Sequence, residues 1–492
     1  MNARHFLSVM MLALSSMFVA CGGGSDSTTA GINGSGITNG GSSVPGVAVG
    51  PITAFGSIFV NGVEFDLSSS TVKVEGISGL NQSDLRIGQV VTVNGGINTT
   101  TGRGTATSVE FSDNLQGPVA SVNTAASTFT VLGQTVKVTG ATVFAGIADL
   151  DALAAQPANT VVVEISGFVN NLDQVEATRV EVKTGVGSNG YELTGKVTNL
   201  SGVTFTIGST LIDFTGAQLP NGSPGNNNVC VEVKGGFNGT VFNATSVEVK
   251  SCGISATSGL GEIEGIITTV SGNVFSMGSV SVSTASSPRY VNGAASNLIA
   301  GTKVEVEGTF NSSGVLMASK IEFKQGTNTR LTGFVDEAPN ASAGTFKMFG
   351  ITVSTTSTTQ YVDKLGSSNS SFGLSNIQSG NYLEVRGYEN AAHTAMTAVT
   401  IERRAASATN RLEIRAFPQA ITSPKFDLLT ATVNTTAGVT EFRDINGNNI
   451  SQAAFFSAAT ANGVMVNARG ANQAAWTPGV GLAAERVEIE SP

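Results

Sequence analysis

Side chains able to carry out covalent or acid–base chemistry are scarce in this chain of 492 residues, which has three cysteines, two histidines and one tryptophan. His393 sits in Asn390-Ala391-Ala392-His393-Thr394, a run that reads as a hairpin turn rather than as the setting of a general base. Transition-metal sites need clustered His or Cys, and no such cluster can be drawn from this sequence. No G-x-S-x-G elbow offers a serine nucleophile, and a cysteine nucleophile would need a free thiol. Carboxylates remain. Asp149 and Asp151 stand where a helix should begin and suit its positive end. Asp444-Ile445-Asn446-Gly447-Asn448-Asn449 starts like a calcium loop but lacks Gly at the sixth position and has Phe455 at the twelfth, so a turn is expected. No catalytic residue, metal ligand or cofactor is assigned. The chain is not expected to be an enzyme, and a carboxylate-dependent hydrolase is the distant alternative.

The cysteines divide into one plus two. Met1-Asn2-Ala3-Arg4-His5 gives a short positive start, and Phe6–Ala20 is an apolar run of signal-peptide length, too short to span a bilayer. It ends Phe18-Val19-Ala20-Cys21-Gly22, which resembles the lipobox of bacterial lipoproteins, with Phe where Leu is usual. The resemblance implies a signal peptide over 1–20, lipid on Cys21 and membrane lipid as a partner. Gly after the cysteine implies the outer membrane of the cell envelope, on its periplasmic face or at the surface. The alternative is an ordinary secretory signal with a chance cysteine. Residues 21–46 are mostly Gly, Ser, Thr, Asn and Ala and read as a flexible tether.

The pattern Ala-x-x-[Val/Ile]-Glu recurs at Ala106–Glu110, Ala177–Glu181, Ala244–Glu248, Ala318–Glu322, Ala398–Glu402 and Ala484–Glu488. Each is preceded by a β run ending in Gly95, Gly167, Gly235, Gly308, Gly387 or Gly470. Earlier still lies a Phe in a short strand: Phe59, Phe129, Phe205, Phe275, Phe346 and Phe426. Six tandem modules follow, over 47–113, 115–184, 190–252, 261–325, 329–404 and 410–491. Module 4 shows the order β-β-β-α-β-β, provided its central strand bends or breaks at Gly278. The fold class is all-β with short helical inserts, an array of six small five-stranded barrels of the oligonucleotide/oligosaccharide-binding type, each plugged by a helix. Inserts are expected at 292–301, Gly79–Gly88, Gly146–Gln156, Phe372–Gly380 and Ser451–Gly463, but not in module 3.

The recurrent Phe is expected in the core, an exposed stacking platform being the alternative. The recurrent Glu follows an inward Val or Ile and so turns outward. It reads as a solvated charge guarding a strand edge, or else as a row of six that binds cations or a partner. Ala and Val three apart have opposite parity, which calls for a bulge or an outward Ala. The G-x-[VI] opening, the Phe strand, the V-E-V-x-G strand and the A-x-x-[VI]-E ending are similar to the family catalogued as domain of unknown function 5666, over residues 47 to about 490. That resemblance implies tandem envelope lipoproteins and brings no activity.

Cys230 and Cys252 open and close the last hairpin of module 3, so in an oxidising compartment a disulfide is expected. It would offset the missing helical plug. The net charge of −9 and a longest basic run of Arg403-Arg404 argue against nucleic acid. The expected function is a non-enzymatic, tethered envelope protein serving binding, adhesion or spacing, with an unidentified protein or glycan partner. The alternative is an oligosaccharide or peptidoglycan binder using Tyr290 or Tyr382, against which the five Tyr and one Trp weigh.

Overall fold

The structure is a computed structural model that describes residues 43–98, 101–251, 254, 256, 258–366, 371–460 and 463–490. Cys21, Cys252, the signal peptide and residues 21–42 of the tether lie outside the described residues. The last residues assigned to the tether do not: the first strand begins at Ser43, whose register partner is Asn98.

Alternation builds the barrels. In module 4 the strand Lys303–Phe310 turns Val304 and Val306 into the barrel and Glu305 and Glu307 out of it. Its opening strand, Leu260–Ser271, pairs with both Lys303–Phe310 and Val274–Met277. Val280–Ser283 pairs antiparallel with Val274–Met277 and parallel with Leu316–Phe323, which returns to Lys303–Phe310. The ring therefore closes in the order first, second, third, fifth, fourth. The expected break at Gly278 is the hairpin between the second and third strands, where Gly278 takes a φ of 56°.

Closed five-strand barrels of this kind recur along the chain. In module 2 the ring runs through Leu115–Asn123, Thr128–Val131, Gln134–Lys137, Val175–Lys183 and Val162–Val169. The V-E-V-x-G glycine explains the parity puzzle of the ending motif. A register shift falls between Ser166 and Gly167, which keeps Ala177 buried beside an inward Val180. The predicted bulge is present, and equivalent shifts precede Gly95, Gly235, Gly308 and Gly387.

The inserts are shorter than expected. Module 4 has one 3₁₀ turn, Ala295–Asn297, instead of about two helical turns. Single 3₁₀ turns also occupy Gln82–Asp84 and Leu374–Asn376, and among the described residues α-helix is confined to Leu150–Ala154 and Gln452–Ala459. Asp149 caps the first of these, accepting from the Ala152 N–H at 2.8 Å. Gly79 and Leu80, expected in an insert, end a strand, Ile77–Leu80, that pairs with Thr71–Val74. Module 3 has the turn Leu219–Gly222 where the others have an insert.

Phe129, Phe205, Phe275, Phe346 and Phe426 are all core residues. Phe59 is not their equivalent. It is half-buried, and Ile58 beside it turns inward. The landmark in module 1 is thus one position off, because apolar residues stand at both parities there.

The barrels are joined through their opening strands. Gly46–Val49 runs parallel to Leu260–Ile263, fusing modules 1 and 4. Leu115 pairs with Leu193 in modules 2 and 3, and Leu331 with Ile414 in modules 5 and 6. The first half of each opening strand has a free edge once its own barrel has closed, and a second barrel's opening strand covers it. Modules 1, 2 and 5 also touch: Arg179 Nη1 donates to the Ile87 carbonyl at 3.0 Å, and Arg386 Nη1 to those of Gly140 and Thr142 at 3.2 Å each.

Candidate functional site

Fusing the barrels buries outer faces that alternation makes polar, and the charged side chains there form the candidate site. The recurrent Glu does not lie on a strand edge. In modules 2 to 5 it faces a second Glu across neighbouring strands: Glu164 opposite Glu181, Glu232 opposite Glu248, Glu305 opposite Glu322, and Glu384 opposite Glu402. Like charges in register repel, and each pair is bridged by a cation two residues past the recurrent Glu. Lys183 lies 2.8 and 3.4 Å from the two carboxylates, Lys250 3.0 Å from both, and Arg404 3.0 and 2.6 Å. In module 2 burial pushes Glu181 up, but Arg179 and Lys183 outweigh it and hold its carboxyl below the usual value. Glu164, more deeply buried, is raised despite Lys183. The signal in the sequence was E-x-[K/R], repeated in modules 2 to 5, which single-residue reading passed over.

Module 4 extends this into a grid. Glu262 faces Glu307, which faces Lys320, while Glu264 faces Glu305, which faces Glu322. Lys320 Nζ lies 2.5 Å from Glu307 and 3.2 Å from Glu322, Lys324 Nζ 2.5 Å from Glu305, and Lys303 Nζ 3.0 Å from Glu264. Burial pushes Glu262 well above the usual carboxylate range, reinforced by Glu305 and Glu307. Burial opposes the charge on Lys320, but the surrounding carboxylates prevail and push it up to about 12.

A second acidic seam joins modules 1, 2 and 3. Glu75, in the left-handed region at φ 49°, accepts from the Asp113 N–H at 2.8 Å. Burial pushes its carboxyl up to about 7; the Asp113 amide offsets part of this, and Glu164, Glu192 and Glu232 raise it further. Burial likewise raises Asp113. Glu192 is held by Lys234 at 2.8 Å.

Beside the module 4 grid lies a cavity of about 680 Å³ with walls from modules 1, 2, 4, 5 and 6. Its lining is polar, with Lys137, Glu176, Lys324, Gln360 and Arg415 around one tyrosine, Tyr388. A larger cleft of about 1140 Å³, between modules 1 to 4, is lined by apolar residues including Val47, Val49, Phe168 and Ile263.

The sequence-assigned residues fare unevenly. Cys230 opens the strand Cys230–Phe237 opposite Lys250 and is buried; its expected partner Cys252 and the lipid site Cys21 lie outside the described residues. His393 is in a hairpin turn, as expected, with Nδ1 2.5 Å from Glu389. Asp444 spends Oδ1 on the Asn446 and Asn448 N–H groups, a turn rather than a cation loop. Tyr382 is buried, donating its hydroxyl to the Arg411 carbonyl at 2.7 Å, and Tyr290 packs on Phe323. Tyr382 thus has no face for sugar stacking, while Tyr290 is half-buried.

The repeats can now be placed among known proteins. Residues 49–110, 116–181, 264–322 and 332–402 match the family described as "Domain of unknown function (DUF5666)", which spans modules 1, 2, 4 and 5 and more than half of the chain. The chain belongs to this DUF5666 family. The matched segments are tandem repeats of the domain; the bulge glycine and buried alanine are common to all four, and the paired glutamates to modules 2, 4 and 5, Glu110 of module 1 facing Thr92. Modules 3 and 6 lie outside the matched segments, module 3 lacking an insert and module 6 having Asn467 opposite its recurrent Glu488. Comparison with curated proteins finds no match.

Proposed function

We propose that this DUF5666 chain is a lipid-anchored, non-enzymatic protein of the cell envelope, in which six barrels of the oligonucleotide/oligosaccharide-binding type form a rigid body that binds a partner. The strand order first-second-third-fifth-fourth supports the barrel type. Pairing of the opening strands supports rigidity, because a bead-like spacer would leave those edges free. The observation that carries the binding reading is the polar cavity enclosed where the barrels meet.

Lipid attachment is tested by feeding an alkyne-tagged fatty acid to producing cells. Label should appear on the native chain and vanish on Cys21→Ser; equal labelling of both would overturn the anchor. Binding is tested by capturing envelope components on the Cys21→Ser chain, with Lys137→Glu as the variant that alters the cavity wall. Identical capture by both would remove the cavity from the reading.

Tyr388 favours one second reading, an oligosaccharide ligand, since a tyrosine among Thr, Asn and Gln side chains suits a sugar. Glycan binding lost in Tyr388→Ala and kept in Tyr388→Phe would support it, and binding unchanged in both would end it.

A further inference from the structure

The outer face of module 4 has two acids opposed on one rung where several of its counterparts do not. Glu262 faces Glu307 across the opening and fourth strands. The equivalent rung is Glu192 with Lys234 in module 3, Arg330 with Arg386 in module 5, and Glu413 with Arg469 in module 6. In module 1 it is Val47 with Asn94. Two acids share this rung in module 4 alone among these. Among the described residues the rows in register hold Glu262, Glu264, Glu305, Glu307 and Glu322 against Lys303, Lys320, Lys324 and, next to Lys320, Arg289, so acids outnumber bases by one.

The excess is concentrated at one point. Glu262 has no solvent exposure, and neither of its carboxylate oxygens receives a hydrogen bond. Lys320 is committed to Glu307 Oε1 and Lys324 to Glu305 Oε2, and Glu305 Oε1, 3.8 Å from Lys320 Nζ, is buried without a hydrogen bond. Glu262, Glu305 and Glu307 each present an oxygen, all within 4.8 Å of one another. Uncompensated buried carboxylates are costly. Calcium takes oxygen ligands at about 2.3–2.6 Å, so opposed oxygens on one ion stand up to about 5 Å apart. The all-oxygen donor set suits a hard cation, and a dry site does not suit magnesium, which keeps several waters.

We propose that Glu262, Glu305 and Glu307 bind one divalent cation of the calcium class. The ion offsets the surplus acid at Glu262 and steadies the face of module 4 that meets module 1. Asn61 of module 1 ties this site to the seam, its Nδ2 donating to the Glu262 carbonyl at 3.0 Å and to that of Val49 at 2.9 Å.

The test uses the full chain in detergent, stripped with EDTA and titrated with calcium chloride by calorimetry and thermal melting. One calcium per chain should bind, and about 1 mM calcium should raise the melting temperature by about 2 °C or more, reversed by EDTA. Glu262→Gln, which keeps shape and removes a charge, should fold and lose the response. Glu337→Gln, on an exposed side chain elsewhere, should keep it. No calcium response in the native chain would overturn the site, as would a native-like response in Glu262→Gln. So would a chain stabilised by falling pH but indifferent to calcium, because a proton would then occupy the place assigned to the ion.

Discussion

Gly167 faces Ala177 across the bulge of module 2 so closely that a Cβ on the glycine would come 2.2 Å from the Glu176 carbonyl oxygen. Backbone cannot retreat there without opening the fourth and fifth strands. Gly167→Ala is expected to cost module 2 about 2 kcal/mol or more, by strain in a packed interior. The same change at Gly185, which has open space around its Cβ position but a φ of 76°, should cost about 1 kcal/mol. Chemical denaturation of both variants checks the ranking, and equal losses would contradict the close-approach account.

Lys183 holds Glu164 and Glu181 together on a largely buried face. Lys183→Met leaves two carboxylates in register with a cation missing, and should destabilise module 2 by about 1–3 kcal/mol. Restoring the balance with Lys183→Met plus Glu164→Gln should recover a large part. A double-mutant cycle measures the coupling, and strict additivity would mean that the lysine acts by packing alone.

The Glu75–Asp113 seam predicts a pH dependence of definite sign. A carboxyl raised from 4.5 to about 7 keeps its proton longer in the folded chain than in the unfolded one. Its contribution is complete below the ordinary carboxylate value and is lost as pH rises through about 7. Native chain should therefore lose about 1–3 kcal/mol relative to Glu75→Gln between pH 5 and pH 8. Melting curves of the two chains across that window give the difference directly. A difference that grows toward acid instead would show that Glu75 is held ionised.

Cys230 begins the fourth strand of module 3, and Cys252 follows the end of the fifth strand by two residues. A disulfide between them should contribute on the order of 3 kcal/mol to the module that has no insert. Peptide mapping without reduction should find the 230–252 linkage, and Cys230→Ser should make the hairpin exchange amide hydrogens faster. Unchanged exchange would mean that the missing plug is offset in another way.

Local features were the legible part of this fold. Period-two alternation, the glycine before each bulge and the Ala–Val parity conflict each state a constraint within one hairpin, so strand order and bulge could be read from them. Phe59 was misplaced because Ile58 next to it is equally apolar, and alternation cannot choose between two such neighbours. The recurrent Glu reads as a solvated charge, and parity gives Glu305 and Glu307 the same outward place, because parity reports only whether a side chain faces its own barrel. What covers them is other barrels, through contacts far apart in sequence. Pairing of Ala48 with Glu262 left no local mark, since any opening strand offers the same unpaired backbone groups. The candidate site was therefore illegible where it depends on assembly, although its E-x-[K/R] component stood in plain sight.

The union of modules 1 and 4 also governs the order in which the protein can be completed. Asn61 and Glu262, which meet at that seam, are 201 positions apart, and modules 2 and 3 lie wholly between them. As the chain emerges, module 1 has an exposed β edge that must wait for two entire modules before its mate exists. Distant pairings of this kind form slowly and leave sticky edges open meanwhile. A chain shortened after module 3 would have every residue of module 1 and still lack the strand that shields it.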